Sequence, residues 1–395
     1  MSLSDRWLLP DGVDELLPPR ATQLEELRRH LLNLFASWGY ELVMPPLIEY
    51  LESLLTGLGP DVELKTFKLT DQLTGRLMGV RADMTPQVAR IDAHRLDREG
   101  PSRLCYIGPV LHTKPGSFAA SRNPLQLGAE LYGHAGVESD VEVLSLMVEM
   151  FAQVGLARIY VNLNHIGIFR GLISQVEISG EQEGLLFDVL QRKATPELEG
   201  YLSSWDLPAS SRSMLGALVE LNGGPEVLEV ARTQLAAGGA QVLGALDELE
   251  QIYQLAGKRR PELGFHFDLA EMRGYGYHTG VMFEAYVPGQ GQSLAWGGRY
   301  DNIGRLFGRS RPATGFSTDL KLVAAVDNER SAPRPSRIFA PVIDDAALVR
   351  EVRRLREVGE VVVQELPGDG GAQALDCDRV LVAQDGGWVL AAVSP

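Results

Sequence analysis

The stretch L-Q-L-G-A-E-L-Y, Leu125 to Tyr132, constrains this chain more than any other, because apolar and other side chains alternate in it without a break. A strand turns successive side chains to opposite faces, so Leu125, Leu127, Ala129 and Leu131 are predicted to face a core and Gln126, Gly128, Glu130 and Tyr132 the other side. Leu104 to Val110 alternates in the same way across a turn-rich segment, which predicts an antiparallel partner. A sheet with one apolar face needs helices to cover it. Gln126 and Glu130 then point the same way, and the glycine between them would leave space for a ligand.

Other periodicities fill in the organisation. Thr22 to Trp38 carries Leu24, Leu27, Leu31, Leu34 and Phe35 at helical spacing, and Gly39 follows as a stop. Glu41 to Met44 reads as a short strand ended by Pro45 and Pro46. From about Gly167 to Gly257 the texture changes to Leu, Ala, Glu and Gln at helical spacing, which predicts a mainly helical insertion. Strand character returns at Leu263 to Leu269, Thr279 to Val287 and Leu294 to Trp296. The polar D-N-E-R-S-A-P-R-P-S-R, Asp327 to Arg337, predicts a linker. Beyond it, Ile338 to Ile343, Ala346 to Val358, Val361 to Gln364 and Val380 to Val393 predict a small α/β unit. The expected class is α+β: an antiparallel sheet flanked by helices over 1–326, with the insertion at about 167–257, a linker over 327–337 and a short C-terminal unit over 338–395.

Composition narrows the function classes. With 395 residues and 45% hydrophobic content the chain can bury a large core. No apolar run reaches the roughly 18 residues that span a bilayer, and M-S-L-S-D-R-W-L-L-P has no basic leader followed by an apolar stretch. A cytoplasmic protein with no membrane partner is expected. Cys105 and Cys377 lie far apart with no C-x-x-C spacing, so neither a disulfide framework nor a metal site is expected, and no cofactor is implied. The formal net charge of −15, with no cluster of Lys and Arg interleaved with aromatics, weighs against a nucleic-acid partner, whose phosphates draw on cationic contacts.

Two tracts look like halves of a nucleotide-activating site. Y-I-G-P-V-L-H-T-K-P-G-S-F-A-A-S-R-N-P-L-Q-L-G-A-E-L-Y-G, within Leu104 to Gly133, resembles motif 2 of the class II aminoacyl-tRNA synthetases in its histidyl-tRNA synthetase version. G-G-R-Y-D-N-I-G-R-L-F-G, followed by P-A-T-G-F-S-T-D-L-K-L, resembles motif 3. L-P-D-G-V-D-E-L-L-P is similar to that family's N-terminal signature, and G-Y-E-L-V-M-P-P-L-I-E-Y to motif 1, with Pro46 and Glu49 matching its P-x-x-E core. Motif 1 implies a homodimer interface. Alone, Pro46 would merely end a strand and Glu49 start a helix, but four motifs in order, from about Leu9 to Val323, carry the resemblance.

The resemblance implies a histidine site. V-R-A-D-M-T-P-Q-V-A-R matches the segment that binds the α-ammonium, with Asp83 where the family has Glu and with Thr85 retained; a cap for a helix beginning near Thr85 and Pro86 is the other reading of Asp83. Gln126 and Glu130 match contacts to the amine and the imidazole. In E-M-R-G-Y-G-Y-H-T-G, Arg273 matches the carboxylate contact, Tyr277 one of two family tyrosines, and His278 stands where the second is expected. Taken singly, Arg273 would be a solvated loop arginine and His278 a structural histidine. The nucleotide half departs further: His112 occupies the place of the arginine that holds the ATP α-phosphate, and Leu322 that of the arginine closing motif 3. Losing one well-placed donor costs ~10²–10³ in rate, so no catalytic residue is expected, although Lys114 and Arg122 could replace part of the lost charge.

Among synthetase-like proteins, this pattern and the short C-terminal unit are most similar to the regulatory-subunit family of bacterial ATP phosphoribosyltransferase. That family implies a non-catalytic chain, a homodimer within a hetero-oligomer with the short-form catalytic subunit, in the first step of histidine biosynthesis. It also implies histidine as a feedback effector and no tRNA. The alternatives are an active histidyl-tRNA synthetase and a synthetase-like protein that binds another amino acid.

Overall fold

Leu125–Tyr132 forms a strand with the predicted ends, flanked by Ser102–Pro109 and Ala313–Asp319, both antiparallel to it. The computed structural model describes residues 7–55, 60–115, 121–156, 158–326, 336–384 and 386–393. The large sheet runs, in spatial order, through Glu41–Leu42, Ser102–Pro109, Leu125–Tyr132, Ala313–Asp319, Ala295–Arg299, Val281–Tyr286, Tyr160–His165, Gly264–Asp268 and Asn222–Gly223. Only the pair of Glu41–Leu42 with Ser102–Pro109 and that of Tyr160–His165 with Gly264–Asp268 are parallel. The α+β expectation therefore holds.

Alternation decides what the sheet packs against. Leu127, Ala129 and Leu131 are buried with Leu144, Met147 and Phe151 of the helix Val137–Gln153. Each buried Leu, Met or Phe of this set, moved from water to the interior, contributes ~1.5–3 kcal/mol. The helix Arg20–Ser37 adds Leu24, Leu31 and Phe35 to the same core. It ends where Gly39 adopts φ +82°, a left-handed conformation that glycine enters without a Cβ penalty.

Several elements depart from the sequence reading. The strand expected over Glu41 to Met44 is only Glu41–Leu42, and the run Val380 to Val393 resolves into two antiparallel strands, Arg379–Gln384 and Gly387–Ala392. The insertion is helical from Ile166 to Arg259, but its Asn222–Gly223 joins the edge of the large sheet. Tyr160–His165, Ala313–Asp319 and the helix Val137–Gln153 were not foreseen. Ala313–Asp319 shows no period, and in Tyr160–His165 the alternation of Val161 and Leu163 with Asn162 and Asn164 is too short to stand out. A three-stranded sheet of Ile48–Tyr50, Phe67–Thr70 and Leu77–Val80 was also unforeseen, its strands being too short to show a period.

Contacts divide the chain into two compact units, Met1–Asn328 and Glu329–Pro395. Residues 327–335 of the expected linker lie outside the described residues. In the second unit a four-stranded sheet is covered on one face by the helix Ala346–Glu357, whose Leu348, Val352 and Leu355 meet Ile338, Ala340, Val362 and Leu381. Asp345 starts that helix by accepting from the Ala347 N–H at 2.7 Å, and it also receives the Trp388 indole N–H at 2.7 Å. Among the described residues no helix is long and apolar enough to cross a membrane, and no group of three or more His, Cys, Asp or Glu could hold a metal ion.

Candidate functional site

The face of Leu125–Tyr132 away from the helix Val137–Gln153 displays Glu130, which is almost fully buried. Its neighbour across the ladder is Gly315. A Cβ there would lie 1.5 Å from Glu130 Oε2, so the carboxyl occupies the room the glycine provides. Tyr106 stands directly opposite Gly128 and fills the space beside it. The expectation that Gly128 leaves room for a ligand is thereby corrected: the glycine admits a phenol from the next strand.

Two phenols hold the carboxyl. The Tyr106 hydroxyl donates to Glu130 Oε1 at 2.9 Å, and the Tyr300 hydroxyl donates to Oε2. Thr85 Oγ1 lies 3.0 Å from the Tyr106 hydroxyl. Burial pushes the Glu130 carboxyl up to about 8, against the opposing pull of the phenols, so it is largely protonated at neutral pH. The Tyr277 ring stacks on Tyr300 with centroids 4.9 Å apart, and Tyr132 meets Tyr300 edge-on at 6.5 Å.

Beside this ring of phenols lies an amide–carboxylate pair. Gln126 Nε2 donates to Asp83 Oδ1 at 2.8 Å, and Gln126 Oε1 accepts from the Met84 N–H at 2.9 Å. Asp83 Oδ1 also accepts from the Thr85 N–H at 2.9 Å at the start of the helix Thr85–Ile91. Asp83 thus supports the first turn of that helix, as its capping reading expects, while it also accepts from the Gln126 amide. The structure brings Asp83, Thr85, Gln126, Glu130 and Tyr277 into one neighbourhood. Among the described residues, the buried Tyr277 hydroxyl has no hydrogen-bond partner. Burial pushes the His278 imidazole down to about 4, leaving it neutral.

Arg273 stands apart from this network. Its side chain is 60% exposed and its Nη1 donates to Glu284 Oε1 at 2.9 Å. On the nucleotide side, His112 Nε2 contacts the Ala82 carbonyl at 2.9 Å, and burial lowers its pKa, so His112 itself carries no positive charge at neutral pH. Leu322 packs against the main core. Arg122, a possible substitute cation, donates instead to the His112 and Asp11 carbonyls at 3.0 and 2.9 Å. Near the motif 1 tract, the Glu49 carboxylate is engaged within the chain by Gln87 and Arg90, and the Pro46 carbonyl accepts from Gln87 at 2.9 Å. Leu42, Met44, Leu47 and Ile48 around them are exposed.

Sequence reasoning passed over Tyr106 and Tyr300. Tyr106 falls on the ligand face because the strand register pairs it with Gly128, and Tyr300 lies just past the strand Ala295–Arg299; neither carried a signal in the sequence.

Comparison with known proteins agrees with this architecture. Residues 12–323 match the family model described as Histidyl-tRNA synthetase, and residues 335–391 match that described as ATP phosphoribosyltransferase subunit HisZ C-terminal domain. The ATP phosphoribosyltransferase regulatory subunit of Thioalkalivibrio sulfidiphilus is 58% identical over 96% of this chain and 97% of its own length. That of Alkalilimnicola ehrlichii is 57% identical over 98% of each. A crystal structure from Bacillus halodurans, described as an ATP phosphoribosyltransferase regulatory subunit/histidyl-tRNA synthetase, superposes with a TM-score of 0.83 at 27% identity, covering 94% of this chain and 96% of that one. Histidyl-tRNA synthetase from Nostoc shares the fold at a TM-score of 0.77 and 20% identity, covering 98% and 97%. A synthetase-like frame with a distinct C-terminal unit, high identity along nearly the whole chain and both family matches point one way: the chain belongs to the family of ATP phosphoribosyltransferase regulatory subunits, built on the histidyl-tRNA synthetase fold.

Proposed function

We propose that this chain is the non-catalytic regulatory subunit of ATP phosphoribosyltransferase, acting in the cytoplasm in the first step of histidine biosynthesis, and that it senses histidine in the Glu130 pocket. The observation that carries the pocket reading is a buried carboxyl held by two phenols, next to a buried Tyr277 hydroxyl that has no partner among the described residues. Either protonation state of Glu130 can meet an imidazole, the acid by donating to the ring's lone pair and the carboxylate by accepting its N–H. Asp83 and Gln126 suit an ammonium, and Arg273 at the exposed margin suits a carboxylate, which a guanidinium grips through two bonds. Histidine regulates only through a preference for one state of the assembly, typically ~1–3 kcal/mol of coupling.

Glu130→Ala is expected to weaken histidine binding by ~1.5–3 kcal/mol through loss of a charged or strongly polar acceptor. Calorimetry is the check, and unchanged affinity in both Glu130→Ala and Arg273→Ala would place histidine elsewhere.

Assembly is the second expectation. A homodimer through the region of Pro46 and Glu49 would bury Leu42, Met44, Leu47 and Ile48, apolar side chains that now face solvent. That dimer should dock the short-form catalytic subunit, with no tRNA as partner. Light scattering on the mixed subunits, with the transferase assayed with and without histidine, tests it. The reading fails if no complex forms and the partner's rate ignores this chain.

A further inference from the structure

The loop that carries Arg273, Tyr277 and His278 is gripped by the helical insertion through one residue that the pocket does not use. The Tyr275 ring meets Phe169 edge-on with centroids 5.4 Å apart and lies 5.6 Å from the ring of Phe187. The Arg170 guanidinium sits 5.0 Å over the same ring, and its Nη2 donates to the Tyr275 carbonyl at 2.6 Å. The Tyr275 hydroxyl donates to Glu183. Phe169 and Arg170 belong to the helix Ile166–Ile173, while Glu183 and Phe187, four apart and so on one face, belong to Gly180–Gln191. Ring, backbone and hydroxyl are all held by these two helices.

On the other side the loop is tied to the pocket. The Tyr277 and His278 N–H groups both donate to the Gly274 carbonyl, at 2.8 and 2.9 Å, and the His278 ring rests against Gly274. Tyr275 lies inside that tight turn, so a shift of its backbone, whose carbonyl Arg170 holds, is passed to Tyr277 and His278. Tyr277 in turn stacks on Tyr300, which donates to Glu130. The contacts form one continuous series from the insertion to the buried carboxyl.

We propose that Tyr275 is a positioning residue that couples occupancy of the Glu130 pocket to the placement of the insertion helices Ile166–Ile173 and Gly180–Gln191. The proposal rests on the reading of that pocket as a histidine site. A ligand that orders Tyr277 and His278 then orders the two helices through Tyr275, and by reciprocity anything that holds the helices in place favours the ligand by the same factor. An ordinary anchor would stabilise the helices equally with the pocket empty or filled.

Amide hydrogen exchange on the full chain, with and without histidine, separates the two, with calorimetry on the same samples. In the unsubstituted chain histidine should slow exchange in both helices. Tyr275→Leu should weaken histidine binding by about two- to thirtyfold and erase the histidine-dependent slowing. Tyr275→Phe, which retains the ring contacts, should keep most of both. Arg170→Met, which removes the carbonyl bond and the cation from the ring, provides the same test by a change outside the loop and should reduce the slowing as well. If the unsubstituted chain binds histidine while both helices exchange at unchanged rates, or if the slowing survives in Tyr275→Leu and Arg170→Met, the coupling is wrong and the pocket reading stands. If the unsubstituted chain gives no heat of binding with histidine, the pocket reading fails and takes the coupling with it.

Discussion

Given histidine and ATP, the chain is expected to exchange pyrophosphate into ATP on the order of 10⁴-fold more slowly than a histidyl-tRNA synthetase that carries both motif arginines. Phosphoryl and acyl transfer are driven mainly by preorganised positive charge, and each well-placed donor is worth ~10²–10³ in rate. Here His112 gives its Nε2 to the Ala82 carbonyl and is held neutral by burial, and Leu322 lies against the core. The Arg122 guanidinium is bound to two backbone carbonyls. Restoring arginine at both positions is not expected to restore activity. A larger His112→Arg side chain would have to leave the site where the imidazole now sits, and Asp319, whose carboxylate accepts the Leu125 and Lys321 N–H groups at 3.0 Å each, would still add negative charge to the cleft. Pyrophosphate exchange within about tenfold of a working synthetase would overturn the non-catalytic assignment, since a lost donor costs more than that.

The second large effect concerns the pH dependence of folding. Glu130 in the folded chain titrates at about 8 against an ordinary value of 4.5, with burial as the leading cause. Between those values the folded chain holds a proton that the unfolded chain has released. Stability from this group is therefore complete below about 4.5 and is lost as pH rises towards 8, at about 1.4 kcal/mol per pH unit. Glu130→Gln removes the titration while keeping the shape and an acceptor for one phenol. Relative to the unsubstituted chain, the variant should gain ~2–3 kcal/mol between pH 5.5 and 7.5. Urea unfolding of the two chains at those pH values measures the difference directly, and parallel pH profiles would show that Glu130 is not a buried, mainly protonated acid.

The sequence by itself determined the two faces of Leu125–Tyr132, because period-two alternation in a strand that is apolar on one side leaves no other assignment of its side chains. It also determined the first helix and its glycine stop, the helical character of the insertion, and which motif positions lack arginine. Ala313–Asp319 carried no such period and Tyr160–His165 only a short one, so both had to be found in the fold. The site divided in the same way. Gln126 and Glu130 were legible because they share one strand, and Asp83 and Thr85 because they sit in one short motif. Only the tertiary structure decided that Tyr106 and Tyr300, from two other strands of the sheet and its margin, supply the hydroxyls on Glu130, that the room beside Gly128 belongs to a phenol, and that Arg273 pairs with Glu284. Those partners are far apart in sequence, so local patterning cannot specify them; what brings them together is the order of strands in the sheet and the register in which they pair.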